Sequence, residues 1–260
     1  MSRQRLGQHF LADAGWRARI RESLRPEPDD LWVEIGAGHG EMTRELAASA
    51  ARVVAIEMDA QLVETLRALA SEKPNIEVAA ADVLKVDLAC LLGNRRVRIY
   101  GNLPYYITSP ILHRLFEHAW RIASIHVVIQ LEVAARLAAR PGRRDYGYLS
   151  VATQYFTRPE IVFRIPPGAF RPRPKVASAL VAMSLPGAGE RLHVTDEAAF
   201  LGFVQSCFAQ KRKTLANNLR AVAPPQRVAE ALAAAALGPK ARAEELTLPQ
   251  FAALFREMAR

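Results

Sequence analysis

Cysteine is scarce in this 260-residue chain: Cys90 and Cys207 are the only two. They form no CxxC unit and lie in apolar stretches, so the sequence excludes a disulfide scaffold and both are expected as core thiols in a reducing compartment. Long apolar runs are missing as well. No stretch reaches the roughly 18 apolar residues of a membrane-spanning helix, and Met1-Ser2-Arg3-Gln4-Arg5 leads into no apolar segment of the kind a signal peptide carries. A soluble, cytoplasmic protein is the expectation. The six histidines are scattered, with no HExxH or other metal-ligand spacing, and no metal site is expected. Lysine is rare too, six against 29 arginines.

What is present is ordinary globular material. Hydrophobic residues make up 50% and charged residues 23% of the chain, enough apolar side chain for a sizeable core. The length suits one main domain with a smaller appendage. The net charge is +9, and it is unevenly placed. Between Arg136 and Lys175 nine basic residues face only Asp145 and Glu160, a balance of +7. Residues 1–25 carry +4, and the remainder sums to −2. A codon preference for arginine explains the number but not the clustering. Guanidinium groups bind phosphate bidentately, so the clusters fit a phosphate-bearing partner such as nucleic acid. Solvated loop arginines are the bland alternative.

Between residues 31 and 130 short apolar runs alternate with amphipathic stretches. Leu31–Ile35, Arg52–Ile56, Ile76–Ala80, Val97–Tyr100 and Ile125–Ile129 read as buried strands, and Glu41–Ala50, Ala60–Ala70 and Pro110–His118 as helices. This rhythm predicts a doubly wound, parallel α/β sheet. Leu131–Arg140 reads as a helix, Ile161–Ile165 and Ala177–Ser184 as later strands, and Tyr148–Phe156 as either. Pro186-Gly187-Ala188-Gly189 reads as a linker. Beyond it the pattern is helical over Asp196–Ala209, with Thr195 as N-cap, and over Leu215–Val222, Gln226–Leu237 and Pro249–Met258. Two domains are therefore expected, 1–185 and 186–260.

The chemistry gathers at strand ends. Glu34-Ile35-Gly36-Ala37-Gly38-His39-Gly40 is a glycine turn between strand and helix, where bare backbone can approach a ligand. It departs from the GxGxxG dinucleotide fingerprint, which argues against NAD. Glu57 follows the second strand, 21 residues after Gly36, where a carboxylate can accept ribose hydroxyls. Asp82 follows the third and Asn102 the fourth. Any one of these could be a helix cap. Four in register are the pattern of a ligand edge in an open α/β sheet. Gly101-Asn102-Leu103-Pro104-Tyr105-Tyr106 adds an amide, a stiffened backbone and an aromatic face, without the nucleophile, base and orienter of acyl transfer.

These residues resemble the N6-adenine methyltransferases that use S-adenosylmethionine. More narrowly, the chain resembles the small-subunit (16S) ribosomal RNA adenine N6,N6-dimethyltransferases, a Rossmann-like fold with a smaller C-terminal helical domain. The likeness runs nearly end to end. It covers Gly7-Gln8-His9-Phe10-Leu11, Glu34–Gly40, Ile56–Asp59, Asn102–Tyr105, Gln130–Ala134, Tyr146–Val151, Phe170–Val176, Gln210–Leu215 and Arg242-Ala243-Glu244.

The resemblance implies S-adenosylmethionine as cofactor. In that family pattern His9 and Leu11 close over it, Gly36 lines its methionine part, Glu57 holds the ribose and Asp82 contacts the adenine, with Gly38 and Val83 as further cofactor-binding candidates. Asn102 bridges cofactor and target. This chain carries His9 where many relatives have Asn. Asn102, Leu103, Pro104 and Tyr105 are the implied catalytic residues. Tyr105 and Phe170 are the candidates for stacking on the target base. Arg143, Arg144, Arg171, Arg173, Lys211 and Arg212 are the candidates for RNA phosphates. The implied substrate is a pair of adjacent adenosines in the 3′-terminal hairpin of 16S ribosomal RNA, within the small subunit or its precursor, with the enzyme a monomer and no membrane partner. Two alternatives stand beside it: a large-subunit (23S) dimethylase of the macrolide-resistance type, and a non-catalytic RNA-binding assembly factor. The Asn-Leu-Pro-Tyr-Tyr form and the Arg242–Leu254 tail favour the small-subunit group.

Overall fold

A computed structural model describes residues 8–259. Arg3, Arg5 and Gly7, from the amino-terminal basic and Gly-Gln-His-Phe-Leu segments, lie outside the described residues. The chain divides into two compact units, residues 1–134 with 159–185, and residues 135–158 with 186–260.

In the first unit the strands are β1 (Phe10–Leu11), β2 (Leu31–Ile35), β3 (Arg52–Glu57), β4 (Ile76–Ala80), β5 (Val97–Asn102), β6 (Ile122–Gln130), β7 (Arg158–Ile165), β8 (Phe170–Arg171) and β9 (Ser178–Ser184). The helices up to the unit's edge are α1 (Ala14–Leu24), α2 (Glu41–Ala47), α3 (Ala60–Glu72), α4 (Leu88–Leu92), α5 (Thr108–Phe116) and α6 (Leu131–Leu137). Seven strands form one sheet in the order β4-β3-β2-β5-β6-β9-β7. The pairs among β2 to β6 are parallel, and β9 joins β6 antiparallel. Central strands such as β3 carry a near-continuous apolar run, Val53-Val54-Ala55-Ile56, all buried, as expected where both faces are covered, whereas the edge strand β4 buries Ile76 and exposes Glu77 and Ala80. Val53, Ala55, Ile99 and Ile125 are fully buried, each worth about 1.5–3 kcal/mol for the larger side chains. Helix α3 buries Leu62, Val63, Leu66 and Leu69 at helical spacing, and the Asp59 carboxylate caps it by accepting from Gln61 N at 2.9 Å. A separate two-stranded ribbon pairs β1 with β8.

One buried acid tests this core. Glu34 is 3% exposed and accepts a 2.6 Å hydrogen bond from Thr43 Oγ1. Burial, with Glu41 and Glu57 adding repulsion, pushes its carboxyl up to about 8 against an ordinary 4.5. The folded state therefore binds this proton more tightly than the unfolded chain. The Glu34 contribution is most favourable below the unfolded value and is lost as pH rises towards the folded one. The stability of Glu34→Gln relative to wild type is expected to rise by about 1.4 kcal/mol per pH unit between those limits. Urea unfolding of both proteins across that range measures it, and parallel curves would show that Glu34 holds no proton.

In the second unit the helices are α7 (Tyr148–Phe156), α8 (Glu197–Cys207), α9 (Leu215–Asn218), α10 (Pro225–Ala234) and α11 (Leu248–Ala259). Helix α8 turns Phe200, Phe203, Val204 and Cys207 into the core, an i, i+3, i+4, i+7 stripe. They pack with Leu219, Leu232 and Phe251, and with Val151 and Tyr155 from α7. That packing is why residues 135–158 group with the helices, where the sequence placed them in a 1–185 domain. It also resolves Tyr148–Phe156 as helix. Two finer expectations change. Asp196, not Thr195, caps α8, its carboxylate accepting from Ala199 N at 2.9 Å. Cys90 is exposed on the short helix α4, whereas Cys207 is buried and its thiol is pushed up to about 12 by desolvation. No helix among the described residues is long and apolar enough to cross a membrane.

Candidate active site

The chain runs outward from β2 through β3 to β4, then returns to lay β5 on the other side of β2. That reversal opens a crevice at the carboxyl ends of the strands, the usual ligand position in open α/β sheets. Ile35 and Gly101 are direct partners across β2 and β5, so Gly36 and Asn102 emerge side by side. The resulting cavity is open to solvent and encloses about 790 Å³ of empty space, the open part included. His9, Gly36, Glu57, Asp82, Val83, Asn102, Leu103, Pro104 and Tyr105 all line it.

The donor set suits a nucleoside-bearing group. Glu57 Oε2 accepts from Gly38 N at 2.9 Å, and Oε1 from Met58 N at 2.9 Å and Asp59 N at 3.0 Å. A carboxylate has about four acceptor sites, so Glu57 is held rigidly and keeps capacity for a hydroxyl. Asp82 Oδ1 accepts from Leu84 N at 3.0 Å. Gly36 has φ 70°, and a side chain built there would meet nothing nearer than Asn102 O at 3.9 Å. Its backbone face is open to a ligand. Ile35, Ile56 and Met58 supply the apolar lining.

On the other wall, Asn102 Nδ2 donates to the His9 main-chain carbonyl at 2.8 Å. Leu103 N donates to Val128 O at 3.1 Å. The Pro104 carbonyl accepts from Ile107 N and Thr108 Oγ1, both at 3.2 Å, which pins the turn into α5. Tyr105 Oη and Ser178 Oγ are 2.8 Å apart, and the Tyr105 ring lies 5.4 Å from that of His9. Burial pushes the Tyr105 hydroxyl above its ordinary value, so it stays a neutral phenol. His9 Nδ1 sits 2.7 Å from the Pro172 carbonyl. A carbonyl only accepts, so Nδ1 carries the hydrogen.

Not every candidate reaches the cavity. Phe170 is fully buried in the core under the sheet, and Leu11, its partner across the β1–β8 ribbon, is 7% exposed. Phe170 is thus unavailable to stack on a base; its apolar area is consumed in anchoring the ribbon. Gly38 acts through its N–H on Glu57 rather than as lining. Arg171 and Arg173 are exposed in the segment facing β1. In the second unit Arg143, Arg144, Lys211 and Arg212 are exposed. There Lys211 Nζ donates to the Arg144 carbonyl, and Arg242 donates to the Lys211 carbonyl at 3.0 Å. Cations distant in sequence therefore form one group. Gln8, Phe10, Met58 and Tyr106 also line the cavity. Adjacency to His9, Glu57 and Tyr105 could have flagged them. Nothing in the sequence singled out Ser178.

A doubly wound sheet with a glycine turn, the Glu57 carboxylate and Asn-Leu-Pro-Tyr on one edge defines a Rossmann-like methyltransferase. The comparisons narrow this. The ribosomal RNA adenine dimethylase family matches residues 1–260. The ribosomal RNA small subunit methyltransferase A of Koribacter versatilis is 42% identical over 267 residues, covering 98% of this chain and 93% of that protein. The crystal structure of the 23S rRNA methyltransferase ErmE superimposes with a TM-score of 0.72 at 32% identity, over 96% of this chain and 100% of that one. A dimethyladenosine transferase from Plasmodium falciparum superimposes at 0.79 with 24% identity, over 96% and 98%, a likeness of fold. The chain belongs to the ribosomal RNA adenine dimethylase family, S-adenosylmethionine-dependent methyltransferases that dimethylate adenine in ribosomal RNA.

Proposed function

We propose that this protein binds S-adenosylmethionine in the β2–β5 crevice and dimethylates N6 of two adjacent adenosines in the 3′-terminal hairpin of 16S ribosomal RNA, acting as a cytoplasmic monomer on the small subunit or its precursor. The observation that carries the reading is Asn102 beside Gly36 at the switch point, its amide NH₂ committed to the His9 carbonyl and its Oδ1 left as an acceptor. The 42% identity to a small-subunit enzyme over nearly the whole chain, against 32% to a 23S enzyme, favours the small subunit.

When bound, the cofactor supplies a methyl group made electrophilic by its sulfonium. The protein's work is on the other reactant. Adenine N6 is a poor nucleophile because its lone pair is delocalised into the ring. Asn102 Oδ1 and the Leu103 carbonyl accept its two hydrogens and favour a pyramidal amine with a localised pair. Pro104 restricts the backbone of Leu103, which aims that carbonyl. Tyr105 stacks on the base, its ring held by Ser178. No base is needed before attack, since the amine becomes acidic as it is alkylated. Catalysis is orientation and preorganised dipoles. Glu57 would hold the ribose and Asp82 with Val83 the adenine, in the crevice that Asn102 also lines.

The direct test offers the protein 16S and 23S RNA, each in subunits lacking their native marks, and reads the products by mass spectrometry. Dimethyladenosine pairs in 16S RNA alone are expected; modification of 23S RNA alone would reverse the assignment. RNA affinity supplies a second expectation. Replacing Arg143, Arg144, Arg171 and Arg173 with alanine should weaken binding and lower the salt slope by about 3, with cofactor affinity unchanged. Titrations at several salt concentrations measure this, and an unaltered slope would show that these arginines touch no phosphate.

A further inference from the structure

We infer that the His9–Asp13 strap is a positioning element for the target amine: its docking sets which end of the Asn102 amide faces the adenine. The inference rests on the dimethylase reading of the crevice.

A side-chain amide has two nearly isosteric ends, one donating and one accepting. Left alone, the broad, two-fold torsion at its end admits both orientations. Only one is productive, because an adenine N6 amine offers hydrogens and requires an acceptor. At Asn102 the choice is made by the His9 main-chain carbonyl, 2.8 Å from Nδ2. A carbonyl cannot donate, so the NH₂ end must face the strap and Oδ1 must face away from it.

The strap carrying that carbonyl is docked by its own bonds. Phe10 and Leu11 pair with Arg171 and Phe170. Ala12 N and Asp13 N both donate to Ala169 O, at 2.9 and 3.2 Å. The His9 ring donates to Pro172 O at 2.7 Å, and Leu11 is buried in the core that holds Phe170. Phe10 lies against the glycine turn: a Cβ on Gly38 would meet its ring at 3.1 Å. One short ribbon thus spans the glycine turn and the end of β5. Because the His9–Asn102 bond belongs to both, strap docking and amide orientation are linked, and linkage is reciprocal.

Reciprocity gives the experiment. Asn102→Asp places a carboxylate against the His9 carbonyl, two acceptors with no hydrogen between them, while keeping the side chain's shape. Hydrogen–deuterium exchange at the Ala12 and Asp13 amides is expected to accelerate roughly tenfold relative to wild type, with exchange in β2, β3 and β5 unchanged. In the other direction, Leu11→Ala trims the strap's anchor without touching the crevice. It should accelerate the same amides and lower kcat by a similar factor, with the KM for RNA little changed. Unaltered exchange at Ala12 and Asp13 in Asn102→Asp would overturn the inference. So would a Leu11→Ala protein whose strap exchanges freely while kcat is intact. A wild-type protein that methylates no ribosomal RNA would refute the functional reading instead, and the exchange comparison would still report on the coupling.

Discussion

Asn102→Ala is expected to reduce methyl transfer by about 10²–10³-fold, the usual effect of deleting one preorganised hydrogen-bonding group at a reacting centre. The residue stands at the carboxyl end of β5, where its main chain continues the pairing with β6. Truncation therefore removes the acceptor without removing the strand. The surviving Leu103 carbonyl can still take one N6 hydrogen, but one acceptor does not fix the pyramid of an amine with two hydrogens. Single-turnover transfer from labelled cofactor to unmethylated small subunits measures the chemical step apart from product release. Activity within about threefold of wild type, set against that expected loss, would remove Asn102 from the chemistry and leave positioning by Tyr105 and the cofactor pocket as the source of rate.

Gly187→Ala is expected to cost about 3 kcal/mol or more and to unfold the helical unit first. A methyl group in a true linker would be nearly neutral. At Gly187 a Cβ would lie 2.3 Å from Thr157 N, 2.5 Å from Phe156 C and 2.6 Å from Tyr155 O, all backbone atoms that no rotamer change can move. The neighbouring turn is just as tightly seated: Ala188 N donates to Gln154 O at 3.0 Å, and a Cβ on Gly189 would meet the Tyr155 ring at 2.7 Å. Thermal unfolding followed by fluorescence and limited proteolysis distinguishes the units. A Gly187→Ala protein with wild-type stability would show that the chain there can shift away from α7.

The crevice was legible from the chain because its signals are local. Gly36, Glu57, Asp82 and Asn102 each stand at or just past the carboxyl end of a strand, and a parallel sheet brings such positions to one edge whatever the loops do. Phe170 shows the limit. A single aromatic beside Arg171 and Arg173 fits either base stacking or core packing, the commoner fate of an aromatic, and the outcome turned on the pairing of Leu11 with Phe170 across 159 residues of sequence. Cys90 failed as a core residue for a related reason: the short helix α4 buries Leu88 and Leu92, half-buries Ala89 and Leu91 and leaves Cys90 exposed. Periodicity over five residues is too brief to assign faces.

The sequence by itself determined the strand–helix alternation, the order of the polar strand ends, the clustering of positive charge and the family to which those motifs point. All of these depend on residue type and near spacing, which act through burial and turn geometry within a few tens of residues. The tertiary structure alone decided that Pro186–Gly189 is packed against the end of α7, that residues 135–158 belong with the later helices, and that the Asn102 amide takes its orientation from His9. Each of these is a contact between segments far apart in the chain. Such contacts depend on which surfaces remain to be buried once the local elements have formed, and on which carbonyl is left facing a given amide.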